Sequence, residues 1–464
     1  MLLFEQELEV PVSEAEGLIA YLERAVAEGL APEDVPLRLV VNKTDGRYYH
    51  CEVAVMSGAA SWPEARAASI FHFAPRKAES ARQFNAALLV PTGIGAEIGG
   101  HCGDAGPVAR LLASACDTLI THPNVVNGAD INELPDNGLY VEGSVISRLL
   151  MGAVGLQRVR SNRVLVVTDE HKDPRIADLV INAASAARAT LGLDCPLVVK
   201  MDPPLRTTAR YAPSGRSSGE VQGFERLCEV LSRHRSAYDA VALATVIHLP
   251  PRFFQDYFPS EGEMVNPWGG VEAMLTHAVS MLFNVPSAHA PMAESMEILH
   301  TDLGVVDPRM SADVVSSTFV YSVLKGLHRS PRIVRDARAS ALPGVLTAAD
   351  VSCLVIPDGC VGLATLAAFE QGIPVIAVRE NRNRMRNDLE AFPHAPGKLF
   401  IVENYLEAVG VMAALRAGVA IPSVRRPLAR TTVVREQASV PAAKANQAGA
   451  EASAGSATPR REGD

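Results

Sequence analysis

Two hydrophobic rhythms alternate along the chain. Short apolar runs bounded by glycine, proline or acidic residues are followed by longer segments in which apolar residues return at helical spacing. The first rhythm predicts strands buried on both faces and the second amphipathic helices, so their alternation predicts crossover connections and a mainly parallel sheet. Residues 2–11 alternate as a strand, Ser13 and Glu16 form a capping box, and Leu18, Leu22 and Val26 mark one face of a helix ending near Gly29. Leu37–Val41 and Tyr48–Val55 read as strands joined across Thr44-Asp45-Gly46-Arg47, because Asp-Gly is a hairpin signal. Residues 57–84 are small and polar by turns, which places a boundary near 84.

From 85 the order is strand, loop, helix. Strands are predicted over Ala86–Val90, Asp117–Thr121, Arg163–Val167, Pro196–Met201 and Ala240–Ile247, with helices from Val108, from Ser144, over 174–191 and over Phe224–Arg233. Arg206 to Gly219 reads as a long loop. A helix introduced by Asn266-Pro267-Trp268-Gly269-Gly270 carries Val271, Met274, Leu275, Ala278 and Leu282 on one face. Its opposite face, with His277, Ser280 and Asn284, is expected to meet solvent. Pro286 to Pro291 reads as a stiff loop and Ser311–Leu327 as a helix. Cys353–Ile356, the turn Pro357–Gly362, the helix Leu363–Gln371 closed by Gly372, and Pro374–Val378 form the clearest βαβ unit. A strand over Leu399–Val402 and a helix over Asn404–Leu415 follow.

The expected fold class is α/β, doubly wound with mainly parallel sheets, Rossmann-like and divisible into two halves. The expected parts are a small N-terminal α/β unit (1–84), a main α/β domain (85–335), a C-terminal βαβ part (336–427) and a disordered tail (428–464), whose composition cannot bury enough apolar surface to order itself.

The stretch Pro91–Pro107 holds six glycines between a predicted strand and a predicted helix, with Pro107 placed for the first helical turn. Two readings stand: a turn that packs the helix close to its sheet, or an anion site built from backbone amides and the helix N-terminus. On the second reading Thr92, Gly93, Gly95, Gly99, Gly100 and Gly103 bind the ligand, with Asn124 and Asn127 from the loop after the next strand. The GxxxxGK[ST] pattern is absent and the spacing does not match GxGxxG, so nucleoside triphosphates and NAD are not favoured. His101, Asp104 and His122 follow neighbouring strands and are the candidates for acid/base work; a divalent metal on the same three is the alternative, and it is not favoured. Arg216 is a candidate clamp for phosphate or carboxylate, and Asp358 with Gly359 could hold a sugar hydroxyl, although a solvated arginine and an ordinary turn are the plain alternatives.

These strings carry a resemblance. PTGIGAEIGGHCGDAGPVARLLAS, DTLITHPNVVN, GLYVEGSVISRLL, VNPWGGVEAMLTHA, VVDPRM and GIPVIAVREN are similar to the family known as domain of unknown function 3326, over about Asn85 to Pro427. The resemblance brings no activity, cofactor or catalytic residue with it.

With 464 residues of which 48% are hydrophobic, the chain can bury a large core. The net charge of −9 argues against nucleic acid and anionic membrane as partners, and leaves a small-molecule ligand and room for a homo-oligomer. Seven scattered cysteines without a CxxC pair suit reduced thiols, and no apolar stretch has spanning length, so a cytoplasmic location is expected. The functional expectation is an enzyme acting on a small phosphorylated or carboxylated metabolite by hydrolysis, elimination or group transfer. A nucleotide-sugar or phosphosugar transferase and a non-catalytic metabolite-binding or assembly protein are the alternatives.

Overall fold

Strands that are apolar on both faces need cover on both, and the chain answers with two parallel sheets. The computed structural model describes residues 1–13, 17–59, 62 and 69–435. The larger parallel sheet has six strands in the order Leu399–Val402, Val375–Val378, Val351–Pro357, Asn85–Leu88, Thr118–Thr121, Gly138–Tyr140. Its two central strands are in register with Leu354 opposite Ala87 and Val355 opposite Leu88. From that centre the chain steps outward in one direction through residues 118–140 and in the other through residues 375–402. Helix Gly106–Ala113 packs beside Tyr405–Arg416, and helix Gly143–Leu150 beside Leu363–Glu370. Every strand of this sheet falls on or within a residue or two of an apolar run in the sequence, apart from the short Gly138–Tyr140.

The second parallel sheet has the order Val198–Met201, Val164–Asp169, Ala240–Val246, Ser287–Met292. Its last strand corrects the expected loop over Pro286–Pro291. It lies at an edge, where Pro291 needs to supply no amide on the open side.

The third sheet is antiparallel and joins distant pieces: Arg206–Tyr211, Ser217–Gln222, Leu2–Pro11, Tyr48–Ser57, Val35–Thr44 and Val361–Gly362. The expected long loop through Arg206 is therefore a hairpin added to the N-terminal strands. Thr207 and Ala209 point into the core while Arg206, Thr208 and Arg210 stay exposed, the period of two that a half-buried strand requires.

Helix Gly269–Phe283 is the joint between these layers. It packs against Ser217–Gln222, Ser287–Met292, Val35–Thr44 and helix Gly143–Leu150. Such enclosure buries most of it, and the face expected to meet solvent is inside: His277 and Ser280 are buried and Asn284 is half-buried. Gly270 allows the close approach, because a Cβ there would lie 2.4 Å from the Ser217 carbonyl oxygen. The expected helix over Ser311–Leu327 is a 3-10 turn at Ser311–Val314 and a helix only over Val320–Leu327.

The described residues up to Val419 form one compact unit, and the chain divides from it at Ala420. Residues 428–435 are exposed and belong to no helix or strand. The rest of the expected tail, 436–464, lies outside the described residues, as does Glu16 of the expected capping box. Among the described residues no helix is long and apolar enough to cross a membrane.

Candidate functional site

The glycine stretch runs from strand Asn85–Leu88 into helix Gly106–Ala113, with Pro107 in its first turn, as expected. Its glycines face protein. A Cβ on Gly100 would lie 2.0 Å from the Ala96 carbonyl oxygen, and one on Gly103 would lie 2.7 Å from the Gly128 nitrogen. Cβ atoms on Gly93, Gly95 and Gly99 would likewise fall within 3 Å of Ser217, Val265 and Val90. Loop amides are spent internally: Ile98 N–H donates to Asn381 Oδ1 at 2.9 Å, Gly99 N–H to Asp104 Oδ1 at 2.8 Å, and Glu97 N–H to the Arg382 carbonyl at 2.8 Å. Close packing, the plainer of the two readings, accounts for these positions.

His101, Asp104 and His122 hold separate pieces of this loop. The buried His101 ring places Nδ1 2.8 Å from the Tyr257 hydroxyl, and burial lowers its pKa. Asp104 caps the Gly99 amide, and burial pushes its carboxyl up to about 7. His122 Nε2 accepts the Val90 N–H at 3.1 Å; burial brings its pKa down to about 4, so the ring is neutral. Among the described residues no three His, Cys, Asp or Glu side chains are grouped so as to hold a metal ion. Asp358 caps its neighbour Gly359, with Oδ1 2.9 Å from that amide, and Gly359 has φ 78°, a turn conformation.

A cavity lies at the C-terminal ends of four strands of the six-stranded sheet, Asn85–Leu88, Thr118–Thr121, Gly138–Tyr140 and Val351–Pro357, where the strand order changes direction. It measures about 190 Å³. Thr92, His122, Asn124, Asn127 and Arg216 line it; His101, Asp104, Asp358, Gly359 and the loop glycines do not. Asn124 Nδ2 donates to the Gly99 carbonyl at 2.6 Å and Asn127 Nδ2 to the Tyr140 hydroxyl at 2.7 Å, so both asparagines shape the wall. The first turns of helices Gly143–Leu150 and Leu363–Glu370 open onto the same space, bringing the positive ends of two helix dipoles.

Charge inside the cavity is concentrated in pairs. His277 Nε2 is 2.8 Å from Glu142 Oε1, and both residues are buried. Burial would raise the Glu142 pKa, but His277 and the Ser144 amide and hydroxyl outweigh it and hold the carboxylate below its usual range. His277 Nδ1 is buried without a hydrogen-bond partner among the described residues. Arg216, expected as a free clamp, is fully buried and ion-paired to Glu52 on the N-terminal sheet. Arg38 is paired to Glu5, and burial, with Arg216 nearby, brings its pKa down to about 9. On the far wall His289 lies 3.2 Å from Glu272 and 2.9 Å from the Thr245 hydroxyl.

Residues 85–425 match the family described as "Protein of unknown function (DUF3326)". The chain belongs to this family. It is also similar to a protein of Synechococcus sp. strain PCC 6301 named an uncharacterized lipoprotein, with 36% identity over 346 residues, 73% of this chain and 92% of that one. No solved structure matches the chain.

Within the DUF3326 stretch lie Glu142, Arg216, Glu272, His277 and His289, whereas Arg38, Glu5 and Glu52 come from the strands before it. Sequence reasoning missed Glu142, Arg38 and Glu272. It placed His277 on a helix face expected to meet solvent and read the segment that holds His289 as a loop. Glu142 carried a usable signal, standing just ahead of the helix start predicted at Ser144; for Arg38, alternating within a strand, there was none.

Proposed function

We propose that this protein is an enzyme that holds a small anionic metabolite in the 190 Å³ cavity and moves a proton there through His277, positioned by Glu142. The observation that carries the reading is the meeting, in one enclosed space, of an imidazole–carboxylate pair with two buried guanidiniums, Arg38 and Arg216. A buried carboxylate that remains ionised fixes the ring and stabilises its protonated form, which is what a general base needs after it takes a proton. The guanidiniums, already costly to bury, gain from an incoming carboxylate or phosphate. Three arginines and two glutamates line the cavity; Arg38 and Arg216 already pair with Glu5 and Glu52, so an incoming anion shares those guanidiniums, while Arg148 donates to the Ser280 carbonyl and Asn284 Oδ1 and has no carboxylate partner among the described residues. Hydrolysis, elimination and group transfer all use such a set.

The six-stranded sheet supports this reading as a doubly wound, Rossmann-like core. In such sheets ligands sit outside the carboxyl ends of the strands where the order reverses, and this cavity has that position. The fold analogy supports the location of the site and says nothing about the reaction. Seven free thiols suit a reducing, cytoplasmic setting, while the Synechococcus relative is named a lipoprotein. Cell fractionation with an antibody to the protein decides between the two.

The direct test is mass spectrometry of small molecules released from the purified protein, repeated on His277→Gln, together with calorimetric titration of phosphate and acetate. A released anionic metabolite that wild type converts and His277→Gln only binds is the expected result. Wild type that carries no anion and binds neither phosphate nor acetate refutes the proposal.

A further inference from the structure

A second cavity of about 320 Å³ adjoins the first. Cys102, Glu272, Pro291 and Phe319 belong to the walls of both. The two spaces differ in chemistry. The first carries Arg38, Arg148, Arg216 and the His277–Glu142 pair, whereas among the described residues no lysine, arginine or histidine lines the second. Its apolar lining is Phe254, Phe258, Trp268 and Leu303, which belong to one packed cluster, together with Ile298 and Leu299.

The aromatic side is rigid. Tyr257 packs edge-on against both Phe258 and Trp268, with ring centroids 5.1 and 5.4 Å apart. The carboxylates at its margin are occupied: Glu294 accepts from the Leu249 amide at 3.0 Å and Asp302 from the Gly304 amide at 3.1 Å. Burial pushes the Asp313 carboxyl up to about 8, which leaves it uncharged at neutral pH. An anionic group entering here would meet carboxyl groups and no cation, while an apolar group would meet aromatic and aliphatic walls. This fixes the direction in which a ligand can span the shared wall.

We infer that the two cavities are one bipartite site, and that the substrate is an anion bearing an apolar tail, with its charged head among the arginines and its tail against Phe254, Phe258 and Trp268. The inference rests on the reading of the first cavity as an anion site. It names the substrate class: an acyl-chain or aryl-substituted carboxylate or phosphate, whose apolar part leaves water against Phe254, Phe258 and Trp268.

The test is calorimetric titration of the full chain with two matched pairs of probes, ethyl phosphate with hexyl phosphate and propionate with heptanoate. Each methylene that leaves water adds about fourfold in affinity, so the longer member of at least one pair should bind more than about tenfold tighter. Ser317 is exposed and lines only the second cavity, so Ser317→Phe should fill its mouth, abolish that gain and leave binding of the shorter probe unchanged. Thr301→Phe, also exposed on that wall, serves as an independent filling variant. Short probes that bind while longer ones bind no tighter overturn this inference alone, as does a gain that survives both fillings. Failure of every probe, short and long, overturns the anion site itself and the inference with it.

Discussion

In the variant Asp104→Asn, the Oδ1 acceptor for the Gly99 amide is kept and the ionisable proton is lost. The carboxyl titrates near an ordinary 3.8 in the unfolded chain and at about 7 in the fold, where burial disfavours its charge and the Gly99 and His101 amides only partly offset that. The folded state therefore binds this proton more tightly than the unfolded state. Its contribution to stability is fully present below about pH 4, declines as pH rises, and is gone above about pH 7. A shift of about three units at 1.36 kcal/mol each corresponds to about 4 kcal/mol, and because the side chain keeps some contact with solvent, about 2–4 kcal/mol is the expected loss. Urea unfolding of both proteins across this range is the assay. Asp169, pushed up to about 6, owes nothing to Asp104 and cancels between the two curves, whereas Asp313, pushed up to about 8 by burial and in part by the Asp104 charge, ionises more easily in the variant and adds to the difference in the same direction. The variant should match wild type near pH 4 and exceed it by about 2–4 kcal/mol near pH 8. A wild type that is the more stable of the two at pH 8 would refute the claim that this carboxyl is buried at a cost.

Gly100→Ala drives a methyl group into the Ala96 carbonyl and should cost more than about 3 kcal/mol, whereas Gly410→Ala, on the open face of helix Tyr405–Arg416, should add about 0.5–1 kcal/mol; melting curves of the two check both. Arg216→Met strands Glu52 in the core and should cost about 3–5 kcal/mol, most of it recovered in Arg216→Met/Glu52→Leu, as a double-mutant cycle in urea would read. Burial raises the thiol pKa of Cys51 to about 12, that of Cys116 to about 11, and that of Cys102 well above its usual value. A disulfide reagent at pH 8 should accordingly label the native protein slowly and all seven thiols promptly in urea.

What the sequence made legible was local. Helix 174–191 was bounded by Asp173, which caps it through the Arg175 amide, and by Gly192 in a left-handed conformation. The hairpin at Asp45-Gly46 and the βαβ unit ending at Val378 were likewise written in a few adjacent residues. The misses share one cause, polar residues buried by partners far away in the chain. Ser217 sits inside because its hydroxyl donates to the Pro267 carbonyl, so a strand containing Ser217 and Ser218 gave no apolar signal. His277 looked like a surface residue because its partner, Glu142, stands in another helix cap. The glycine stretch marked the right edge of the sheet, since Thr92 and the neighbouring His122 do reach the cavity, but glycine density alone does not separate a ligand cradle from close packing.

The pairing of Asn85–Leu88 with Val351–Pro357 also bears on how the protein is made. Asn85 N–H reaches Ser352 Oγ across 267 positions, so the centre of the six-stranded sheet closes only after most of the chain has left the ribosome. At about 5–20 residues per second, that strand edge waits roughly 10–50 s for its neighbour. During that interval an apolar strand with free amides and carbonyls is open to pairing with another nascent chain. Biogenesis of this fold therefore depends on shielding the first half of a sheet whose second half has yet to be synthesised, and truncation before residue 351 should yield aggregates in place of a smaller folded protein.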